Sequence, residues 1–246
     1  MSLAPLDPLA PSDPLSWLPP IFIMCHPEHE PIRYKILCDH LPRRGIPLDK
    51  VTWVRGPWGS ELTTSQYFTD YDPYDARFGS RMALSFKAAG LLRGEVSLVL
   101  TFKEVIWQTL CTNAEIFLVF ESDIVLREDF LPRLKDVLEK AKGKTWHYIS
   151  LGEGVGTRPA GHHPSYFAPT ELYEPGTPFP FRCTDSMLFH RQFLETLEQT
   201  LKHFRECLDW ELNVQMQAVR GKALWADPPL VEPGSGRWRF LSLLPG

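Results

Sequence analysis

The chain has 246 residues, and its 30 Asp and Glu against 26 Lys and Arg give a formal net charge of −4. A chain without a basic excess is a poor candidate for general nucleic-acid binding, because affinity for the phosphate backbone comes from clustered Lys and Arg. A hydrophobic content of 43% with 12% aromatic residues is enough for a core, which excludes wholesale disorder. The length favours one large α/β domain over two small ones.

Prolines are unusually frequent, at 23 in the chain against a usual share of about 5%. Six lie in residues 1–20 and six in residues 156–180, whereas residues 80–155 contain only Pro132. We therefore expect a proline-rich lead-in over residues 1–20 and a single domain over residues 21–246, with a long loop at 156–180.

The compartment is indicated by the cysteines and by the start of the chain. The five cysteines form no CxxC pair and match no zinc spacing, which is typical of free thiols. No apolar run approaches the roughly 18 residues that a membrane span needs. The start lacks the basic region of a signal peptide. We expect a cytoplasmic protein with no membrane span and no nucleic-acid partner.

In chain order, hydrophobic periodicity predicts alternating strands and helices. The first half reads as a strand at 21–25, a helix at 31–41 that Pro42 ends, a strand at 51–54, an irregular segment at 65–79 and a helix at 92–111. The second half reads as a strand at 115–120, a helix at 130–141, strands at 147–151 and 187–190, helices at 192–207 and 208–219, and a tail from 225 without a clear period. This alternation predicts an α/β fold with a mostly parallel central sheet flanked by helices.

The sharpest chemical feature follows the buried strand at 115–120, where Glu121 and Asp123 stand at its carboxyl end. Ligands of open α/β sheets bind outside the carboxyl ends of the strands. Residues two apart on an extended chain point to the same side, so both carboxylates can hold a hard cation such as Mn²⁺ or Mg²⁺ against a diphosphate. The alternative is a solvated acidic turn, which is common after a core strand.

Several motifs in the same order resemble glycosyltransferase family 25, which includes lipopolysaccharide and collagen galactosyltransferases. The matching pieces are Gly94-Glu95-Val96 with Trp107, Glu121 and Asp123 with Phe130, the HYISLG of 147–152, residues 183–191, Leu208-Asp209-Trp210, and the DPPLV of 227–231. Together they cover roughly residues 20–232. Two positions depart from the family pattern: Ser122 replaces a central acid, and Thr101-Phe102 replaces a serine-histidine pair.

The resemblance implies a single GT-A-type (Rossmann-like) domain that transfers a hexose from a nucleotide sugar, UDP-galactose or UDP-glucose. It implies an inverting, metal-dependent reaction, with Mn²⁺ or Mg²⁺ at Glu121 and Asp123. The acceptor would be a saccharide or a hydroxylated protein side chain. Because of the two departures, an inactive relative that only binds a nucleotide sugar remains an alternative. A metal-dependent hydrolase that uses Glu121 and Asp123 with Asp209 is a further alternative.

Inversion at an anomeric carbon needs a base on the acceptor side, and Asp209 and Glu211 are the candidates. Residues two apart on a helix point to different sides, so only one of them can be the base, and we prefer Asp209, which matches a family acid. Trp210 is a candidate platform for a sugar acceptor. The alternative is an acidic pair that complements the helix dipole.

Four further residues are candidates for donor binding. Arg55 and Gly56 follow the second strand, where they either meet the nucleotide or form a surface turn. Glu95 opens the long helix and either binds ribose or caps the helix. Asp185 precedes the strand at 187–190, where it can face the donor sugar.

Overall fold

The computed structural model describes residues 13–74, 90–154, 158, 161–177, 179–181 and 183–234. Its strands are β1 (Ile21–Met24), β2 (Val51–Val54), β3 (Ile116–Glu121), β4 (Ile124–Leu126), β5 (Tyr148–Ser150), β6 (Glu171–Tyr173), β7 (Ser186–His190), β8 (Ala223–Asp227) and β9 (Val231–Pro233). Its helices are α1 (Pro31–Arg43), α2 (Thr64–Asp70), α3 (Arg93–Leu110), α4 (Phe130–Ala141), α5 (Arg191–Thr200) and α6 (Leu208–Ala218). No helix in these ranges combines the length and the hydropathy that a bilayer crossing requires.

The central sheet has seven strands in the order β2-β1-β3-β7-β5-β8-β6. Strands β2, β1, β3, β5 and β8 run in one direction, whereas β7 and β6 are antiparallel to their neighbours. The predicted α/β class is thus confirmed, and the sheet is mixed around a parallel majority. Strands β4 and β9 form a separate antiparallel pair.

Helices cover both faces of the sheet, and alternate residues of each strand pack on opposite faces. In β3, Phe117 and Val119 pack in the core that contains residues of α3, α5 and α6. Leu118 and Phe120 pack in the core that contains residues of α1 and α4. All four side chains are fully buried, which explains why the sequence of β3 is apolar throughout instead of alternating.

The N-terminal half departs from prediction at two helices. Helix α1 does not end at Pro42 but continues to Arg43, because a proline in the last turn loses only its own N–H and the turn closes through Arg44 N to Leu41 O at 2.9 Å. Residues 64–70 form α2 where we predicted irregular chain, and the prediction for 75–79 lies outside the described residues. A reciprocal capping box between Thr63 and Gln66 begins α2.

The C-terminal half departs from prediction at short elements. Helix α5 ends at Thr200 instead of residue 207, because the following segment pairs with the chain after α2 through Phe204 N to Asp70 O at 2.9 Å. The predicted loop at 156–180 contains β6, and the tail predicted without periodicity contributes β8 and β9. Strand β4, directly after the acidic motif, was not predicted.

Part of the proline-rich lead-in packs on the domain. Residues Trp17 and Leu18 contact the core beside α1 and α4, and Pro20 O accepts a hydrogen bond of 3.0 Å from Leu118 N. Asp13 forms an ion pair with Lys50. Residues 13–20 are therefore attached to the domain directly before β1.

The chain order of the first strands defines a crevice. Strand β1 pairs in parallel with β2 on one side and with β3 on the other. The chain leaves β1 toward β2, whereas it leaves β3 toward β5 on the opposite side of the sheet. Such a switch point opens a gap between the loops that follow the two diverging strands. The carboxyl ends of β1 and β3 therefore frame a crevice.

Candidate functional site

Two adjoining cavities lie at this edge of the sheet. The crevice cavity, about 230 Å³, is lined by residues after β1 and β2, by the first turns of α3 and by the end of β3. The carboxylate cavity, about 270 Å³, lies between the end of β3, the start of β7 and the start of α6. Leu98, Glu121 and Asp123 line both cavities, so the acidic motif stands where they meet.

The carboxylate cavity brings together most of the acids that the sequence singled out. Among the described residues, its lining includes five carboxylates, those of Glu95, Glu121, Asp123, Asp185 and Asp209. They come from α3, from the end of β3, from the segment before β7 and from α6. Acids so far apart in sequence meet here because the end of β3, the start of the antiparallel β7 and the first turns of α3 and α6 lie at the same edge of the sheet.

Glu121 ends β3 and is held on two sides. The Thr184 hydroxyl donates a hydrogen bond to Glu121 Oε1, and Glu121 N donates to Asp185 O at 2.9 Å. Burial, followed by the negative charge of Asp123, raises the pKa of Glu121 to about 8, against the lowering effect of Thr184. Asp185 and Asp209 raise this pKa further. The cavity thus concentrates negative charge that a bound cation would offset.

Asp209 lies in the first turn of α6 and lines the carboxylate cavity. Its Oδ1 accepts hydrogen bonds from Trp210 N at 2.9 Å and from the Cys207 thiol at 3.2 Å. Burial raises the pKa of Asp209 above the usual range for an aspartate, although these hydrogen bonds oppose the shift. A carboxylate with a raised pKa is a better proton acceptor, which suits the predicted base.

Glu211, the other candidate base, lies outside this cavity. It is fully buried and accepts hydrogen bonds from Arg205 N at 3.2 Å, Glu206 N at 3.4 Å and Gln215 Nε2 at 2.9 Å. These contacts secure the chain that enters α6. Of the two acids, Asp209 therefore faces the cavity and Glu211 supports the helix start.

We expect Glu211→Ala to lower the free energy of unfolding by about 1–3 kcal/mol, because the buried amides of Arg205 and Glu206 would lose their acceptor. Urea unfolding followed by circular dichroism measures this change. Glu198→Ala, which removes an exposed acid from α5, is the matched control and should change stability by less than about 0.5 kcal/mol. Equal stability of the two variants would contradict the supporting role of Glu211.

Glu95 and Asp185 each have a structural contact in addition to their place in the cavity. Glu95 Oε2 accepts a hydrogen bond of 2.8 Å from Leu92 N. Of the two predicted roles of Glu95, ribose binding and helix capping, this contact is the capping one. Asp185 Oδ1 accepts from Ser186 Oγ at 3.2 Å. A Cβ at Gly152 would lie 2.6 Å from both carboxylate oxygens of Asp185, so only glycine lets the end of β5 pass so close.

Of the candidates after β2, Gly56 lines the crevice cavity, whereas Arg55 is not part of its lining. A Cβ at Gly56 would lie 1.9 Å from Thr101 Oγ1 and 2.7 Å from the Thr101 Cα, so the turn packs directly on α3. Arg55 is exposed, and its Nη1 lies 3.6 Å from Glu28 Oε1. The structure thus places the backbone of this turn, but not the Arg55 side chain, at the cavity.

A buried network in the crevice cavity was not predicted from the sequence. The Ser122 hydroxyl donates to Glu30 Oε1 at 2.5 Å and accepts from Arg33 Nη1 at 2.9 Å. Glu30 Oε2 accepts from His26 N at 3.0 Å. Where the family pattern has a central acid, this chain therefore has a serine that binds an acid supplied by the segment before α1. Glu30 and Ser122 are about 90 residues apart, so no local motif could reveal the pair.

The second departure from the family pattern, Thr101-Phe102, is divided between the core and the crevice cavity. Phe102 is fully buried in the core, with its ring centroid 5.6 Å from that of Phe189. Thr101, the neighbouring residue, lines the crevice cavity. Position 102 therefore belongs to the core of this protein rather than to the lining of its crevice.

The residues present suit a cation that is shared with a phosphate ligand. Within the described ranges, no three His, Cys, Asp or Glu side chains converge closely enough to enclose a metal ion. Mg²⁺ and related cations, however, are commonly held by one or two carboxylates plus substrate phosphates and water. Glu121 and Asp123, at the junction of the cavities, provide that smaller set of oxygen ligands.

Comparison of the chain with known protein families finds no matching family, and comparison with curated proteins finds no matching relative. The likeness to glycosyltransferase family 25 therefore consists of the ordered motifs in the sequence.

Proposed function

We propose that the protein is a divalent-cation-dependent glycosyltransferase with a GT-A-type domain, which takes UDP-galactose or UDP-glucose as donor. The observation that carries this proposal is the position of Glu121 and Asp123, which line both the crevice cavity and the carboxylate cavity. A nucleotide diphosphate sugar has its diphosphate between a nucleoside and a hexose. If the nucleoside occupied the crevice cavity and the hexose the carboxylate cavity, the diphosphate between them would lie beside Glu121 and Asp123.

The crevice cavity suits the nucleoside end of the donor. It opens at the switch point between β1 and β3, where α/β sheets bind nucleotides. Trp58 and His26 line it, and the Trp58 ring stacks on His29 with centroids 4.7 Å apart and an interplanar angle of 8°. Aromatic rings fixed in this way suit an unsaturated base. Arg33, at the same cavity, is paired with Glu30 at 3.3 Å between Nη1 and Oε1, and its guanidinium would also be available to the diphosphate.

The carboxylate cavity suits the reacting sugar. The acceptor hydroxyl oxygen would attack the anomeric carbon, the bond from that carbon to the diphosphate would break, and UDP would leave. Asp209 would take the proton of the acceptor hydroxyl. Asp185 and Glu95 would accept hydrogen bonds from sugar hydroxyls. A cation at Glu121 and Asp123 would stabilise the charge of the leaving diphosphate.

The acceptor in this proposal is a saccharide or a hydroxylated protein side chain, and the compartment is the cytoplasm. All five cysteines are free thiols, which suits a reducing compartment. The acidic net charge also argues against a nucleic-acid partner.

The proposal is tested by incubating the protein with UDP-galactose or UDP-glucose and Mn²⁺, and by measuring the release of UDP with and without a mixture of saccharide acceptors. We expect release that depends on an acceptor and a sugar product of increased mass. Equal release without any acceptor would instead indicate a hydrolase. Nucleotide binding without any release from either donor would indicate an inactive relative.

A further inference from the structure

A third cavity lies away from the proposed active site. This aromatic cavity, about 510 Å³, is lined by residues that include Arg44, Arg127, Glu128, Tyr166, Phe167 and Glu232. The ladder of β4 and β9 separates it from the carboxylate cavity. Glu232 lines the aromatic cavity and its neighbour Pro233 lines the carboxylate cavity, because successive residues of a strand point to opposite faces.

Two aromatic rings project at the mouth of the aromatic cavity. Phe167 is 83% exposed and Tyr166 is 47% exposed, and their ring centroids are 5.4 Å apart with the rings nearly perpendicular. The guanidinium carbon of Arg127 lies 3.5 Å from the centroid of the Tyr166 ring. Arg127 is itself buried and held by Asp129, with Nε 3.0 Å from Oδ1. The Tyr166 ring is thus held in place by a cation–π contact with Arg127, while the Phe167 ring is open to solvent.

Hydrogen-bonding groups of both kinds stand beside these rings. The Arg44 Nε donates to Leu126 O at 3.0 Å, and its two Nη groups make no hydrogen bond within the described part of the chain. Glu128 is exposed and its carboxylate likewise has no partner among the described residues. The lining thus offers both donors and acceptors to a ligand.

The charges of the lining favour a neutral ligand. Arg44 and Arg127 are outnumbered by Glu128, Asp129 and Glu232, so the lining has a net charge of −1. A lining so close to neutral attracts neither an anion nor a cation strongly, and a purely apolar ligand would leave charged groups such as Arg44 and Glu128 without partners. A pyranose has a face of C–H groups that stacks on aromatic rings, and a rim of hydroxyls that both donate and accept.

We propose that the aromatic cavity is a binding site for a neutral saccharide. Its volume falls within the usual range for small-ligand sites, about 300–1,000 Å³. The sugar stacks on the exposed Phe167 ring and contacts the perpendicular Tyr166 ring at its side, and its hydroxyls bond with Arg44 and Glu128. This site does not depend on the proposed transferase activity, because none of these four residues lines the crevice cavity or the carboxylate cavity.

Saturation-transfer NMR with lactose, maltose and cellobiose as probes tests this proposal on the full chain. We expect wild-type protein to transfer saturation to at least one of these disaccharides. Phe167→Ala should weaken that binding on the order of tenfold, because a stacked ring face is lost. Glu128→Gln should weaken it less, because an amide oxygen still accepts a hydrogen bond. Tyr74→Ala, which removes another highly exposed aromatic ring, is the matched control and should leave binding unchanged.

Three results would overturn the proposal. One is the absence of transfer to all three disaccharides. The second is binding that Phe167→Ala leaves intact but Asp209→Asn abolishes, which would assign the sugar to the carboxylate cavity. The third is tighter binding of inorganic phosphate than of any disaccharide. Because Asp209→Asn leaves the aromatic cavity unaltered, failure of the transferase activity and failure of this site are distinguishable.

Discussion

Asp123→Ala should weaken the binding of UDP in the presence of Mn²⁺ by at least about a hundredfold, since even residues that only support metal ligands affect affinity by about 10–100-fold. The substitution removes one of the two carboxylates at the junction of the crevice and carboxylate cavities. The fold should persist, because the contact that position 123 makes to the chain after β9 uses its backbone oxygen, which accepts from Gly234 N. Calorimetric titration with UDP measures the affinity.

Glu128→Ala is the matched control for this variant. It removes an acid from the same segment, but Glu128 is exposed and lies at the aromatic cavity instead. We expect wild-type UDP affinity in Glu128→Ala and a melting temperature within a few degrees of wild type in both variants. Wild-type UDP affinity in a folded Asp123→Ala protein would refute the assignment of the cation to Asp123.

Asp209→Asn should lower the turnover number by about 10²–10⁴-fold, which is the usual contribution of a general base, with little change in UDP affinity. The amide preserves the shape of the side chain, and its oxygen can still accept from Trp210 N and the Cys207 thiol. It cannot take the proton of an acceptor hydroxyl. Steady-state release of UDP and calorimetric titration with UDP separate the two effects.

The control for this variant is Glu211→Gln, two residues further along α6. Glu211 is fully buried against the helix start and does not line the carboxylate cavity. A glutamine can still accept the backbone hydrogen bonds, so turnover should remain near that of wild type. If Asp209→Asn weakened UDP binding while the bound complex turned over normally, Asp209 would be a donor-side residue and the base would have to be sought elsewhere.

The elements that the sequence predicted well are those whose pattern is complete within a short window. The apolar run of β3 and the wide stripe of α3 each show their burial directly, and the observed bounds differ from prediction by one residue at each end. Strands β4, β6 and β9 have three residues each and were not predicted, whereas the equally short β5 lies within the predicted strand at 147–151. The antiparallel direction of β7 depends on the path of the long connection before it, which no local pattern records.

The residues of the candidate site differ in the same respect: a local sequence pattern indicates some of them, and only tertiary contacts reveal the role of the others. Glu121 and Asp123 were found because a buried strand that ends in acids is a local signal with a known position at the sheet edge. Arg55 follows β2 and Glu211 lies on α6, as predicted, but neither side chain lines the two cavities. The direction of a side chain at a turn or a helix start depends on tertiary contacts, which the sequence pattern does not show. The bond between Ser122 and Glu30 joins distant segments, so only the folded chain reveals it.

The central claim is that a nucleotide binds through a cation at Glu121 and Asp123. The most direct measurement is calorimetric titration of the wild-type protein with UDP, first in Mn²⁺ and then after a chelator has removed divalent cations. We expect clear binding in Mn²⁺ and a loss of affinity of at least about a hundredfold after chelation, equivalent to about 2.8 kcal/mol. Equal affinity under both conditions, or no binding of UDP under either, would contradict this claim.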